Sequence, residues 1–102
     1  MSKIEQLLEF LKENPDDTFY RYALALEYVR VKELTLAKNI FEKLIIEEPN
    51  YLATYYQYGN LLADMGNNEL AEEIFKKGIA IASMQNNHKT RQELEQAMFL
   101  LD

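Results

Sequence analysis

The chain of 102 residues has no cysteine, a single histidine, only three glycines and only two prolines. Without cysteine it forms neither disulfides nor thiolate metal sites, and it has no thiol nucleophile. The one histidine, His88, lies in a polar stretch and supplies neither a zinc ligand set nor the base of a nucleophilic pair. Gly59, Gly66 and Gly78 are too widely separated to form a phosphate-binding loop. We therefore expect no metal, no cofactor and a surface role for His88.

Acidic residues occur as sequence neighbours at three places, Asp16-Asp17, Glu47-Glu48 and Glu72-Glu73. Neighbouring residues on a helix point in different directions, so these pairs are poor candidates for a general acid and base. We interpret them as solvated helix ends and faces. No nucleophile, base and metal can be combined into a catalytic site, and the sequence predicts a protein that is not an enzyme.

Positive charge is also scarce, with 11 basic against 17 acidic residues and a net charge of −6. The acidic residues are spread over both halves of the chain, which argues against a nucleic-acid surface and against binding to an anionic membrane. Long apolar runs are missing as well, so we expect no membrane span and no signal peptide. The expected compartment is the cytoplasm.

What the chain does contain is a repeat: the pattern of residues 15–49 recurs 34 positions later. The matching pairs are Pro15/Pro49 within the first copy, and Ala25/Gly59, Leu36/Leu70, Ala37/Ala71, Ile40/Ile74, Phe41/Phe75, Lys43/Lys77 and Ile45/Ile79 between the copies. A fixed period of this length is typical of stacked helical arrays.

Each copy contains two apolar stripes at helical spacing, separated in the first copy by Lys32-Glu33. The first stripe is Tyr20, Leu24, Tyr28 and Val31; the second is Leu36, Ala37, Ile40, Phe41, Leu44 and Ile45. The unit is therefore predicted to be a helix, a tight turn and a helix. Small residues, Ala25 with Gly59 and Ala37 with Ala71, allow the helices to approach closely. Phe41 and Phe75 are expected to fill the space between successive pairs.

This unit resembles a tetratricopeptide repeat, with the pattern W-x2-L-G-x2-Y, A-x3-F and P. The first copy has Arg21, Leu24, Ala25, Tyr28, Ala37, Phe41 and Pro49 at these positions, and the second has Tyr55, Tyr58, Gly59, Leu62, Ala71, Phe75 and Ser83. Arg21 replaces the usual large aromatic residue. Ser83 replaces the proline and lets the second helix continue.

The resemblance implies an all-α, right-handed superhelix of six helices, at about 3–13, 17–31, 34–47, 51–65, 68–84 and 88–101. We expect one domain over 1–102, with a half repeat at 1–14, repeats at 15–49 and 50–85, and a capping helix at 86–102. Gly66 is expected to end the fourth helix in the left-handed conformation, and Lys32 to do the same in the first repeat at some conformational cost.

In the family, the first helix of each pair lines a concave surface that binds a peptide or a helix of another protein. The corresponding residues here are Phe19, Tyr22, Leu26, Val29 and Arg30, then Ala53, Tyr56, Asn60, Ala63 and Asp64. The subtype that clamps a C-terminal carboxylate has Lys and Asn where Tyr22, Leu26 and Gln57 stand, so we reject that ligand. The alternative function is self-association as a homodimer, for which Phe10, Phe99 and Leu100 are the candidate contacts.

Overall fold

Residues 1–101 are described by a computed structural model, and within them the chain forms six α-helices. They are α1 (Lys3–Glu13), α2 (Thr18–Arg30), α3 (Leu34–Glu47), α4 (Ala53–Asp64), α5 (Asn68–Met84) and α6 (His88–Phe99). The predicted bounds of α1, α3 and α5 are correct to the residue. Helix α5 runs through Ser83 as expected, whereas α6 ends at Phe99 rather than at residue 101.

The helices form two compact units, one from Met1 to Pro49 and one from Asn50 onward. In the first unit α2 packs against both α1 and α3. In the second unit α5 packs against both α4 and α6, and α4 also contacts α6. Each unit thus buries the apolar stripes of its helices against one another, which isolated helices of this length cannot do.

Polar side chains cap the start of four of the six described helices. Ser2 Oγ accepts the N–H of Glu5 at 3.1 Å, and the Glu5 carboxylate accepts the N–H of Ser2 at 3.0 Å. The pKa of Glu5 is lowered, because the Ser2 backbone N–H, followed by the Ser2 side chain, favours the charged form of the carboxylate. Asp17, Asn67 and Asn87 cap α2, α5 and α6 in the simpler way, each accepting one backbone N–H.

One turn geometry occurs three times, between α2 and α3, between α4 and α5, and between α5 and α6. Each turn contains a residue with positive φ: Lys32 at 67°, Gly66 at 84° and Asn86 at 57°. The residue that follows donates its N–H to the carbonyl five residues earlier, at 2.8 Å in all three turns. The positions of Lys32 and Gly66 confirm the 34-residue period in the backbone itself. The third turn therefore joins α5 to α6 with the same backbone geometry that joins the two helices within each repeat.

Replacing Lys32 with glycine is expected to raise the free energy of unfolding by about 0.5–1 kcal/mol, because only glycine adopts positive φ without strain. The matched change, Gly66→Ala, is expected to lower it by about 1 kcal/mol. No atom lies within 4 Å of a Cβ added at Gly66, so the decrease in the free energy of unfolding would reflect backbone strain alone and no steric clash. Urea denaturation of both variants checks the prediction, and a less stable Lys32→Gly protein would contradict it.

The buried core follows the repeat pattern but shows one contact that was not predicted. Ala25, Ala37, Phe41, Ala71 and Phe75 are fully buried, as the motif requires. Phe41 and Phe75 were expected between successive helix pairs, yet the Phe75 ring lies directly over Gly59 inside its own pair. Gly59 therefore provides the space that this ring occupies.

The two repeats differ at the position where the motif has a large aromatic residue. Tyr55 is almost fully buried, and this burial raises the pKa of its phenol. Arg21 stands 34 residues earlier and keeps only 12% of its side chain exposed. Its guanidinium donates to the Glu47 carboxylate on α3, so a charge-assisted bond joins the two helices of this pair.

Candidate functional site

Five predicted partner-binding residues lie on α2, and none of them is buried. Phe19 is 60% exposed and Arg30 is exposed, whereas Tyr22, Leu26 and Val29 are half-buried. Their spacing of three and four residues places Tyr22, Leu26, Val29 and Arg30 on adjoining faces of the helix. The buried residues of α2 are Leu24, Ala25 and Glu27, so the predicted residues flank the packed side rather than form it.

Aromatic contacts anchor this face of α2. The Tyr22 ring lies 6.4 Å from the Phe41 ring, at an interplanar angle of 55°. Phe19 meets Tyr20 edge-on at 5.9 Å, and Tyr20 in turn stacks on Phe10 of α1 at 3.7 Å. Such contacts restrict the rotamers of these rings.

The stack corrects the sequence-based expectation for Phe10. We expected Phe10 to be available for self-association, but it is half-buried and packed against Tyr20 of the same chain. Its ring is therefore committed to holding α1 on α2. Phe99 and Leu100, the other two residues of that hypothesis, are 85% and 70% exposed.

A buried carboxylate positions Arg30, and sequence reasoning missed it. Glu27 keeps only 11% of its side chain exposed and lies 3.0 Å from the Arg30 guanidinium. The Lys3 ammonium approaches the same carboxylate at 3.8 Å from α1. Two cations thus compensate the charge of one buried acid, as a desolvated carboxylate requires. The spacing of Glu27 and Arg30 by three residues was the signal that could have revealed the pair.

The other predicted residues lie on α4, or at its start, and they too avoid the buried side. Tyr56 is 40% exposed, Asp64 is exposed, and Ala53, Asn60 and Ala63 are half-buried. They alternate with a fully packed set, Thr54, Tyr55, Tyr58, Gly59, Leu61 and Leu62. The accessible side of α4 is consequently smaller and more polar than that of α2.

Within residues 1–101, no group of three or more His, Asp or Glu side chains could hold a metal ion. Over the same residues, no helix is both long and apolar enough to cross a membrane. The accessible faces of α2 and α4 therefore offer aromatic and aliphatic surface, one amide and two opposite charges. Groups of these kinds can pack against another molecule and form hydrogen bonds with it.

Two concave sites lie elsewhere, and sequence reasoning predicted neither. One, of about 330 Å³, is an open depression in the first unit and is lined by Leu11, Pro15, Asp16, Arg21, Leu24, Ile40, Lys43 and Glu47. The other, of about 600 Å³, lies between the start of α5 and the end of α6. The first holds two basic and two acidic side chains, so its charges largely cancel.

Comparison with known proteins agrees with the repeat geometry. A sequence model of the tetratricopeptide repeat matches residues 52–83. The crystal structure of a tetratricopeptide repeat domain protein from Salinibacter ruber is 32% identical in sequence and superposes with a TM-score of 0.78. The match covers 82% of this chain and 93% of that chain. The solution structure of a Salinibacter ruber tetratricopeptide repeat domain protein gives a TM-score of 0.83, at 32% identity over 86% and 89% of the two chains.

A more distant solution structure, of a protein from Bordetella parapertussis, has the same fold. It superposes with a TM-score of 0.86 over 99% of this chain and 88% of that chain, at 20% identity. At this identity the likeness concerns the fold alone. No functionally curated protein matches the chain significantly.

Proposed function

Because the chain belongs to the tetratricopeptide repeat family, we propose that it is a non-catalytic module that binds a partner protein in a concave groove, with accessible residues of α2 and of α4 as the candidate contacts. Domains of this family are generally protein–protein interaction modules and typically lack catalytic activity. Repeat arrays of this kind use extended concave surfaces for binding. The proposed ligand is a peptide or a helix of another protein, and the predicted compartment remains the cytoplasm.

One observation carries the proposal: both repeats leave the same positions of their first helix accessible. The equivalent pairs, each 34 residues apart, are Phe19/Ala53, Tyr22/Tyr56, Leu26/Asn60, Val29/Ala63 and Arg30/Asp64, and no member is buried. The buried residues of the two helices all lie at other positions: Leu24, Ala25 and Glu27 on α2, and Thr54, Tyr55, Tyr58, Gly59, Leu61 and Leu62 on α4. Accessible surface that recurs with the repeat period supports a binding role for the first helix of each repeat.

The chemistry of these residues suits a peptide or a helix. Tyr22 and Tyr56 offer rigid aromatic area at low entropic cost, as residues at binding hot spots commonly do. Arg30 is held by Glu27, so less of its side-chain freedom is lost on binding. Asn60 can both donate to and accept from a peptide backbone.

The double variant Tyr22→Ala/Tyr56→Ala is expected to weaken partner binding at least about tenfold, as removal of aromatic hot spots does. Peptides are first selected on the intact protein by phage display, and their affinity is then measured by fluorescence anisotropy. Leu36→Ala and Met84→Ala remove exposed apolar side chains from α3 and α5 and serve as matched controls. Unchanged affinity, or unfolding of the double variant, would contradict the groove.

Self-association is the second candidate function, and the exposure of Phe99 and Leu100 favours it. Large apolar side chains exposed at neighbouring positions often mark an interface. Two facts weigh against a dimer: Phe10 is engaged within the chain, and each copy carries a net charge of −6. We therefore rank it below the groove.

A further inference from the structure

The concave site between α5 and α6, here called the α5–α6 cleft, shares no residue with the groove proposed above. Its lining consists of Asn68, Glu69 and Glu72 from the start of α5, and Glu95, Met98, Phe99 and Leu101 from the end of α6 and just beyond. The volume of about 600 Å³ is within the range of sites that bind ligands or inserted side chains.

Apolar side chains form one part of the α5–α6 cleft. Phe99 is 85% exposed, and Met98 and Leu101 beside it are half-buried. The repeat core does not use the Phe99 ring: the buried residue of α6 is Leu94. An aromatic ring next to a flexible thioether provides an adaptable apolar contact surface.

The charged residues that line the α5–α6 cleft are all acidic. Glu69, Glu72 and Glu95 contribute three carboxylates, and no lysine or arginine is among the lining residues. Lys76 and Arg91 pair with Glu72 and Glu95 from one turn away, at 2.9 and 3.0 Å, and are themselves 63% and 31% exposed. Exposed pairs of this kind are weak and can exchange partners.

The end of α6 adds to this negative character. Its last turn contains no basic residue, so the partial negative charge at the C-terminal end of the helix is not compensated locally. Cations are the groups that helix C-termini bind favourably. The three carboxylates and the C-terminal end of α6 therefore both favour a positively charged group. Both lie next to the apolar residues of the α5–α6 cleft.

We propose that the α5–α6 cleft is a second docking site, which binds a basic amphipathic helix of a partner protein. A bulky apolar residue of that helix packs against Phe99, Met98 and Leu101. Its flanking lysine or arginine residues pair with Glu69, Glu72 and Glu95. Recognition of an amphipathic helix by an apolar groove with charge-complementary edges is a recurrent binding mode.

Charge decides between this occupant and a second copy of the chain. A two-fold symmetric contact brings each patch against itself, so the three carboxylates of one copy would face those of the other. Like charges placed together across an interface cost several kcal/mol. A basic helix brings positive charge to the same acidic surface. The apolar contact with Phe99 does not distinguish the two occupants, because either of them can make it.

Binding of a designed peptide tests the proposal. The probe is a fluorescein-labelled amphipathic peptide of leucine and lysine, about 18 residues long, with the leucines at helical spacing. A second peptide has glutamate in place of every lysine. Fluorescence anisotropy at about 0.15 M salt is expected to show saturable binding of the lysine peptide alone, since that salt screens non-specific attraction.

Matched variants locate the binding. Phe99→Ala and the pair Glu69→Gln/Glu95→Gln are each expected to weaken binding at least about tenfold. Met84→Ala removes another exposed apolar side chain, and Glu73→Gln/Glu93→Gln removes one exposed charge from each of the same two helices outside the cleft. Both controls are expected to stay within roughly twofold of the unaltered protein.

Any of five outcomes would overturn the proposal. The lysine peptide does not bind, or the glutamate peptide binds equally well. The control pair weakens binding as much as the cleft pair, which indicates general attraction to an acidic protein. Sedimentation shows a dimer that Phe99→Ala dissociates, so a second copy covers the cleft. Binding is lost in Tyr22→Ala/Tyr56→Ala but not in Phe99→Ala, which assigns the peptide to the groove and supports the proposed function instead.

Discussion

Replacing Phe75 with alanine is expected to lower the free energy of unfolding by about 3–5 kcal/mol, the usual cost of truncating a buried phenylalanine. The side chain is fully buried, and its ring occupies the space above Gly59 between α4 and α5. Phe41→Ala is expected to cost a similar amount, because Phe41 is also fully buried at the equivalent position. Such a loss is a large share of the total stability of a domain of this size.

Equilibrium denaturation in urea measures both changes, and a smaller truncation, Phe75→Leu, covers the case in which the alanine variant does not fold. Phe19→Ala is the matched control, since its ring is 60% exposed and its loss is expected to change stability by no more than about 0.5 kcal/mol. Losses below about 1 kcal/mol for both buried rings would contradict the core described here.

Replacing Gly59 with alanine is expected to lower the free energy of unfolding by about 1–3 kcal/mol, as overpacking does in a dense core. A Cβ at this position would lie 2.3, 2.6 and 2.7 Å from three atoms of the Phe75 ring. The ring is fully buried, so it cannot move aside without displacing its neighbours. At an exposed helix position, the same substitution would instead stabilise the protein by about 0.5–1 kcal/mol.

A double-mutant cycle identifies the contact. In the Phe75→Ala background the clash is absent, so Gly59→Ala is expected to become neutral or stabilising, with a coupling of about 1 kcal/mol or more. Ala25→Gly, at the equivalent position of the first repeat, serves as the matched control and is expected to cost about 0.5–1 kcal/mol. Additive effects of the Gly59 and Phe75 changes would mean that the two residues do not interact.

Local patterns in the sequence were sufficient to predict the helices. Apolar spacing marked each helix, and polar or small residues marked the ends, because capping and turn geometry involve only a few neighbouring residues. The positive φ of Lys32 was predicted from Gly66 by the 34-residue period alone. The end of α6 was misplaced by two residues, as is common where no strong terminating residue is present.

Contacts between helices were harder to predict. The Phe10–Tyr20 stack, the pairing of Lys3 with Glu27 and the acidic α5–α6 cleft each bring together residues from two different helices. A helical pattern states which side of one helix is apolar, but not how far its neighbour is rotated or shifted along it. Phe10 therefore seemed available from its position off the main stripe of α1.

The sequence by itself determined that this chain is a helical repeat of the tetratricopeptide family and which residues are small, apolar or turn-forming in each copy. These properties depend on short-range spacing, and the repeat displays them twice. Only the tertiary structure decided which apolar residues stay exposed, that Glu27 is buried with two cations, and that three carboxylates line the same cleft as Phe99. Exposure and charge environment are set by side chains distant in the chain, which become neighbours only when the helices pack.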